Sequence, residues 1–320
     1  MISKKVVVLR EIPAVAIELL AKKYQVDVNQ SGRVLTREQL YHRVKGASAI
    51  ISLLTDRIDG AVVKAAGPHL AIVANYAVGF DNVELKALRE KNIVVTNTPG
   101  GVTEAVAEHT LALTLAVARR VVEADKYVRS GRYKQWEPLL FLGQSLVGKT
   151  VGIIGAGRIG SAFGRMMHRA LKAKLLYFDT QRNAELERSI GATKVSLNAI
   201  MERSDIISIH VCLTPQTKHL IGRAQLAAMK PTAILVNTAR GPVIDESCLI
   251  DCLKNKSIFG TALDVYENEP HLIPGTRALN NIVLTPHIGS ATDDARIEMA
   301  VTAARNVIAV LSGHVPLNPV

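Results

Sequence analysis

The chain has 320 residues, a length at which a single core usually gives way to more than one domain. Apolar residues make up 48% and charged residues 21%, which excludes a disordered chain and a membrane-embedded one. The formal net charge is +11, but Lys and Arg are scattered, and one Trp and five Phe leave no aromatic interleaving. The excess therefore reads as a positive field that draws small anions, not as a nucleic-acid surface.

The first apolar run is Val6–Leu9, preceded by Met1-Ile2-Ser3-Lys4-Lys5. Together they imitate a secretion signal, but the run is too short and no small-residue cleavage site follows. A first β-strand is the better reading, and the cytoplasm is the expected compartment. Further Val/Ile-rich runs follow at Ala49–Ser52, Ala71–Ala74 and Ile93–Thr96. A Pro/Gly break at Thr96-Asn97-Thr98-Pro99-Gly100-Gly101 then precedes a helical pattern from Val102 to Arg119. On this helix His109 reads as a core histidine with no assigned role.

Beyond it, strands are predicted at Thr150–Ile154, Lys174–Phe178, Ile206–His210, Ala233–Asn237 and Ile282–Thr285. A second break near Pro286–Ser290 leads to a final helix ending at about Leu311. Continuous apolar strands alternating with helices predict parallel sheets buried on both faces. The strands are too many for one compact sheet. The fold expected is α/β: two doubly wound, Rossmann-like parallel-sheet domains with a cleft between them. Residues 1–98 plus 289–320 would form a substrate-binding domain and 99–288 a cofactor domain. No apolar stretch reaches the roughly 18 residues of a membrane span. The 3 cysteines, Cys212, Cys248 and Cys252, are too few and odd for a disulfide framework. Cys248 and Cys252 share a helix face, but no further Cys or His cluster completes a metal site, and no metal is expected.

The strongest motif is Val151-Gly152-Ile153-Ile154-Gly155-Ala156-Gly157-Arg158-Ile159-Gly160. It follows a strand, opens a helical pattern over Ser161 to Leu171, and is followed by a second strand ending in Phe178-Asp179. That is the dinucleotide fingerprint in its proper context. Gly155 permits the tight turn, Gly157 the approach of a pyrophosphate, and Gly160 close helix–strand packing. The N–H groups near Arg158 and Ile159 can hold phosphates. Asp179 can bind the adenosine ribose and repel a 2′-phosphate, which favours NAD. Arg182, three residues on, leaves NADP open.

Three residues at strand ends supply reaction chemistry. Arg240 lies in Asn237-Thr238-Ala239-Arg240-Gly241, Glu269 in Asp264-Val265-Tyr266-Glu267-Asn268-Glu269-Pro270, and His287 in Leu284-Thr285-Pro286-His287. Reduction of a 2-oxo acid needs a held carboxylate, a hydride and a proton. A guanidinium grips the carboxylate, a histidine gives the proton, and a carboxylate orients that histidine. Each residue alone is equally a turn or cap residue; downstream of a dinucleotide fingerprint the set points to catalysis.

At Gly155–Gly160 with Asp179, and at Asn237–Asp245, Gly260–Pro270 and Pro286–Thr292, the chain resembles the D-isomer-specific 2-hydroxyacid dehydrogenase family over nearly its whole length. The resemblance implies that Arg240 binds substrate, that His287 and Glu269 form the acid–base pair, and that Asp264 holds the nicotinamide carboxamide. It places Thr103 and Thr238 at the cofactor. It also implies a substrate loop, Val78-Gly79-Phe80-Asp81-Asn82, in which the N–H groups of Val78 and Gly79 bind the carboxylate, and a homodimer. Leu53–Asp56, Gly101–Glu108 and Trp136–Leu139 most resemble glyoxylate and hydroxypyruvate reductases. There a Trp like Trp136 limits substrate size from the neighbouring subunit; plain interface packing is the alternative. A D-lactate-type or D-3-phosphoglycerate dehydrogenase, and a non-catalytic NAD-sensing module, remain as rival readings. Phosphoglycerate dehydrogenases usually carry an Arg just before the substrate loop, where this chain has Asn75-Tyr76-Ala77.

Overall fold

The computed structural model describes residues 4–320. Met1–Ser3, the start of the stretch weighed as a signal, lie outside the described residues. The chain divides into two compact units. One holds the residues up to Val102 together with Ala291–Val320; the other holds Thr103–Ser290.

The first unit is built on β1 (Lys5–Val8), β2 (Gln25–Val28), β3 (Ala49–Leu53), β4 (Ile72–Tyr76) and β5 (Val94–Thr96). They form one sheet in the order β2-β1-β3-β4-β5, with every pairing parallel. The inner strands are almost wholly buried, as continuous apolar runs require. On one face Val7, Ile50 and Val73 pack with Ile58, Val62 and Leu88. The last helix, Asp293–Leu311, packs on β4 and on the helix Ala14–Ala21. Thr292 caps it by accepting from Ala295 N, and Asp293 and Asp294 sit where the helix dipole favours negative charge.

The second unit is built on β6 (Thr150–Ile154), β7 (Lys174–Phe178), β8 (Thr193–Lys194), β9 (Ile206–Ile209), β10 (Ile234–Asn237), β11 (Gly260–Leu263) and β12 (Ile282–Leu284). The order is β12-β11-β10-β9-β6-β7-β8, again all parallel. Val151, Phe163, Tyr177 and Val236 lie in the core on one face; Ile154, Ile207, Leu235 and Leu249 lie on the other. The helix Arg158–Leu171 begins three residues before the apolar pattern from Ser161, directly at the glycine turn.

Three strands carry no run that sequence reading picks out. The edge strand β2 alternates as Gln-Val-Asp-Val and is only partly buried, and the β8 edge has two exposed residues. In contrast, β11 is fully buried yet reads Gly-Thr-Ala-Leu. Its small residues have a packing cause: a Cβ on Gly260 would lie 2.8 Å from Asn281 O and 3.0 Å from Val117 of the helix Val102–Ala118. Thr261 hides its hydroxyl by donating to Leu235 O at 2.7 Å. Among the described residues, no helix is long and apolar enough to cross a membrane, and no group of His, Cys, Asp and Glu could hold a metal ion.

Candidate active site

In the second unit, the chain leaves β6 at the point where the sheet order reverses, with β9 on one side and β7 on the other. That crevice is where doubly wound sheets take ligands. Gly155 occupies it with φ +96, and a Cβ there would lie 2.8 Å from the carbonyl carbon of His210 at the end of β9. A Cβ on Gly160 would lie 2.1 Å from Gly155 O, so helix and turn meet backbone to backbone. Gly157 faces open space and caps the helix with no side-chain hydrogen bond. The first-turn amides of that helix have no intrahelical acceptor, as at any helix start. An open glycine before such amides suits a pyrophosphate, so these residues fit a dinucleotide.

Asp179 follows β7 and closes the turn from the side. Its Oδ2 accepts Ala156 N at 2.8 Å and its Oδ1 accepts Gln181 N at 3.2 Å. Arg182 is paired with Glu187 at 2.6 Å. Asn183 ties the turn further, donating to Ala156 O at 2.8 Å and to Ser161 Oγ at 3.0 Å.

Three adjacent strands present the other candidates. Past β10, buried Asn237 accepts Ala239 N at 3.0 Å and donates to Arg240 O at 2.9 Å, which fixes the Arg240 backbone. A Cβ on Gly241 would lie 1.9 Å from the carbonyl carbon of Tyr266, so only glycine lets this loop lie against the turn carrying Glu269. Past β11, Glu269 Oε1 accepts Tyr266 N at 3.1 Å. Its Oε2 receives His287 Nδ1, from past β12, at 2.9 Å. Both side chains remain about a quarter to a third exposed, at 25% and 31%, so an acid can reach the ring. Glu269 is acceptor-only when ionised, so Nδ1 carries a proton and Nε2 is left to exchange one. Burial, then the charges of Asp264 and Glu269, push the Tyr266 phenol up to about 12; it stays a neutral donor to Thr285 O at 2.8 Å.

Asp264 is fully buried at the end of β11. Its carboxylate accepts Thr285 Oγ1 (2.6 Å), Ile288 N (2.9 Å) and Gly289 N (2.8 Å). His109 Nε2 lies 3.4 Å from Oδ1. Burial would push this carboxyl up, but the donors from His109, Thr285 and Ile288 outweigh it and hold it below the usual value. Thr238 bonds Thr110 Oγ1 at 2.9 Å; Thr110 gives its own proton to Val106 O, so Thr238 is the donor. Thr103 stands in the first turn of the Val102–Ala118 helix.

In the first unit, the loop after β4 has its carbonyls gripped in succession. Thr98 N donates to Ala77 O at 2.9 Å, Asn97 Nδ2 to Val78 O at 2.8 Å, and Asn75 Nδ2 to Gly79 O at 2.9 Å. In a trans peptide the N–H points opposite its carbonyl. The N–H groups of Val78, Gly79 and Phe80 therefore turn away from those anchors, as an anion-binding loop needs. Asn75 and Asn97 carry no sequence signal of their own; only their pairing with loop carbonyls reveals them, as only its neighbours reveal His109. Trp136 is 76% exposed, and the nearby helix Val121–Arg129 has no buried residue.

A glycine turn at the switch point of a parallel sheet, followed by a histidine–carboxylate pair on strand ends, defines an NAD(P)-dependent oxidoreductase. Residues 111–289 match the family model "D-isomer specific 2-hydroxyacid dehydrogenase, NAD binding domain". The chain is 44% identical to a glyoxylate reductase of Thermococcus litoralis over 98% of its length and 96% of that protein's. It belongs to the D-isomer-specific 2-hydroxyacid dehydrogenase family. Among solved structures it is similar to a Thermus thermophilus protein, with TM-score 0.92 and 43% identity over 99% of each chain. Another is an NADPH-dependent glyoxylate/hydroxypyruvate reductase from Sinorhizobium meliloti in complex with NADP and malonate. It gives a TM-score of 0.87 at 29% identity over 99% of this chain and 97% of that one.

Proposed function

We propose that this protein reduces glyoxylate and hydroxypyruvate to glycolate and D-glycerate, with His287 as the acid–base. The observation that carries this reading is the His287–Glu269 hydrogen bond beside the Arg240 loop. NAD(P)H, when bound, supplies the hydride that reduces the carbonyl carbon. His287 gives the Nε2 proton to the carbonyl oxygen, and Glu269 holds Nδ1–H and stabilises the charged ring. In the reverse direction the neutral ring takes the hydroxyl proton. Arg240 binds the carboxylate and polarises the carbonyl. In this reading residues 1–98 with 289–320 are the substrate part, where the N–H groups of Val78 and Gly79 suit a carboxylate, and residues 99–288 are the cofactor part.

Gly155, Gly157, Arg158, Ile159 and Gly160 take the pyrophosphate in this reading. Thr103 and Thr238 touch the cofactor, and Asp264 holds the carboxamide. Asp179 takes the ribose and favours NAD, and the engagement of Arg182 by Glu187 supports that preference. Exposed Trp136, Leu139 and Leu142 beside the Val121–Arg129 helix support a homodimer, with Trp136 trimming substrate size. We place the enzyme in the cytoplasm.

The test is oxidation of NADH and NADPH, read by the absorbance of reduced nicotinamide, with glyoxylate, hydroxypyruvate, pyruvate and 3-phosphohydroxypyruvate side by side. Preferred turnover of the first two is expected. Preference for another acid would reject the substrate assignment. Cofactor binding with no turnover of any acid would point to a sensing module. His287→Ala should lower kcat by about two to four orders of magnitude with NADH affinity kept.

A further inference from the structure

His109 sits on the Val102–Ala118 helix, outside every motif of the site. Its Nε2 lies 3.3 Å from Thr285 Oγ1 and 3.4 Å from Asp264 Oδ1. Thr285 gives its own proton to Asp264 Oδ1 at 2.6 Å, so its oxygen can only accept from the ring. An ionised carboxylate also only accepts. Both neighbours of Nε2 are acceptors, so Nε2 carries the proton and donates.

What these groups hold is the turn of His287. That residue has φ +57, a left-handed conformation that costs a non-glycine residue about 1 kcal/mol or more and persists only where the surroundings over-determine it. Asp264 does this alone at three points. Its main-chain oxygen takes His287 N at 2.9 Å, and its carboxylate takes Ile288 N and Gly289 N. The carboxylate can accept all its donors only while ionised, and its side chain is 1% exposed, so water does not support the charge.

We propose that His109 is a positioning residue for His287, acting through Asp264 and Thr285. This rests on the acid–base role given to His287 above. The titratable groups around Asp264 are His109, Tyr266, Glu269 and His287, and of these only His109 donates to the carboxylate. Without that donor, burial is less opposed and the Asp264 carboxyl takes up a proton at a higher pH. A protonated carboxyl loses acceptor capacity for the amides, and the turn loosens on the acid side.

The experiment compares His109→Leu and His109→Gln with wild type, each melted to confirm folding. For His109→Leu, kcat should stay within about threefold of wild type near pH 8 and fall by a further factor of about three or more at the lowest pH at which wild type stays folded, with KM for NADH moving less. His109→Gln keeps an uncharged donor and should remain within about threefold at both pH values. Hydrogen exchange of the peptide spanning Ile288 and Gly289 is the second readout. It should quicken in His109→Leu at the lower pH only, and not in His109→Gln. Equal fractional losses at both pH values, no loss, or a Gln variant no better than Leu would overturn the proposal. If wild type reduces no 2-oxo acid, the acid–base reading fails, and the exchange result still decides whether His109 holds the turn.

Discussion

Glu269→Gln tests the acid–base pair most sharply, because the carboxylate has two donors to satisfy. Oε1 accepts Tyr266 N at 3.1 Å and Oε2 accepts His287 Nδ1 at 2.9 Å. Glutamine offers one acceptor oxygen and an NH2 that only donates. If its oxygen stays with Tyr266, the NH2 faces His287 Nδ1, which must then accept, and the ring cannot become the doubly protonated imidazolium that donates from Nε2. The productive arrangement requires giving up the Tyr266 bond, about 1 kcal/mol, so roughly one molecule in six holds it. Loss of the negative charge beside the imidazolium removes about a further 1.4 kcal/mol, another factor of about ten. We expect kcat for 2-oxo acid reduction to fall about 50-fold, with KM for NADH little changed, in steady-state assays at saturating substrate. A kcat within about threefold of wild type would refute the reasoning and reduce Glu269 to an anchor of the Tyr266 turn. A parallel loss of NADH affinity would refute it too, by showing that the site itself had collapsed.

Asp179→Ala should relax discrimination against NADPH about tenfold in kcat/KM, and loss of the Ala156 N bond should raise KM for both cofactors about fivefold; an unchanged ratio removes Asp179 from the ribose site. Asn75→Ala frees Gly79 O and should raise KM for the 2-oxo acid about tenfold while KM for NADH holds; equal changes in both would make Asn75 a plain core residue. Hydrogen bonds from the Ser247 hydroxyl and from Cys248 lower the Asp245 carboxyl to about 2. A lowered folded-state value means its contribution is complete above the ordinary carboxylate range and is lost as pH falls toward about 2. Acid unfolding curves of Asp245→Asn should therefore be flatter between about pH 4 and pH 2 than those of wild type, and parallel curves would contradict this.

The sequence makes the two parallel sheets legible because their inner strands are buried on both faces and must be continuous apolar runs, as at Ile50–Ile51 and Ile153–Ile154. The same logic hides β2, whose edge position permits Gln25 and Asp27, and β11, where helix packing dictates Gly260. The glycine turn is legible because its constraints fall on consecutive residues. Arg240, Glu269 and His287 are legible as chemistry and as strand-end positions. The pairing of His287 with Glu269 is expected from that chemistry; which ring nitrogen meets the carboxylate, Nδ1 at 2.9 Å, is not, because 18 residues separate the two. The grip of Asn75 and Asn97 on the carbonyls of Gly79 and Val78 leaves no pattern at all. An asparagine that holds a loop carbonyl looks, in sequence, like any asparagine.

Sheet order supplies what residue spacing lacks. The strands preceding Arg240, Glu269 and His287 are β10, β11 and β12, consecutive neighbours in a wholly parallel array. Parallel strands at about 4.8 Å spacing bring three carboxyl ends within roughly 10 Å, so loops far apart in the chain start side by side. Each loop is then fixed to its neighbour by one specific contact. Gly241 lies on the Tyr266 carbonyl, Tyr266 donates to Thr285 O, and Asp264 N–H and carbonyl bridge Asn237 to His287. Asp264 is central to this lattice because it directly follows the middle strand of the three. From there its backbone reaches both neighbours, while its carboxylate fixes the turn on one of them. A buried charge at that position is costly unless fully satisfied, and the donors that satisfy it come from the His287 turn and from His109. The geometry of the candidate acid–base pair therefore depends on a residue that the helix, and not the sheet, contributes.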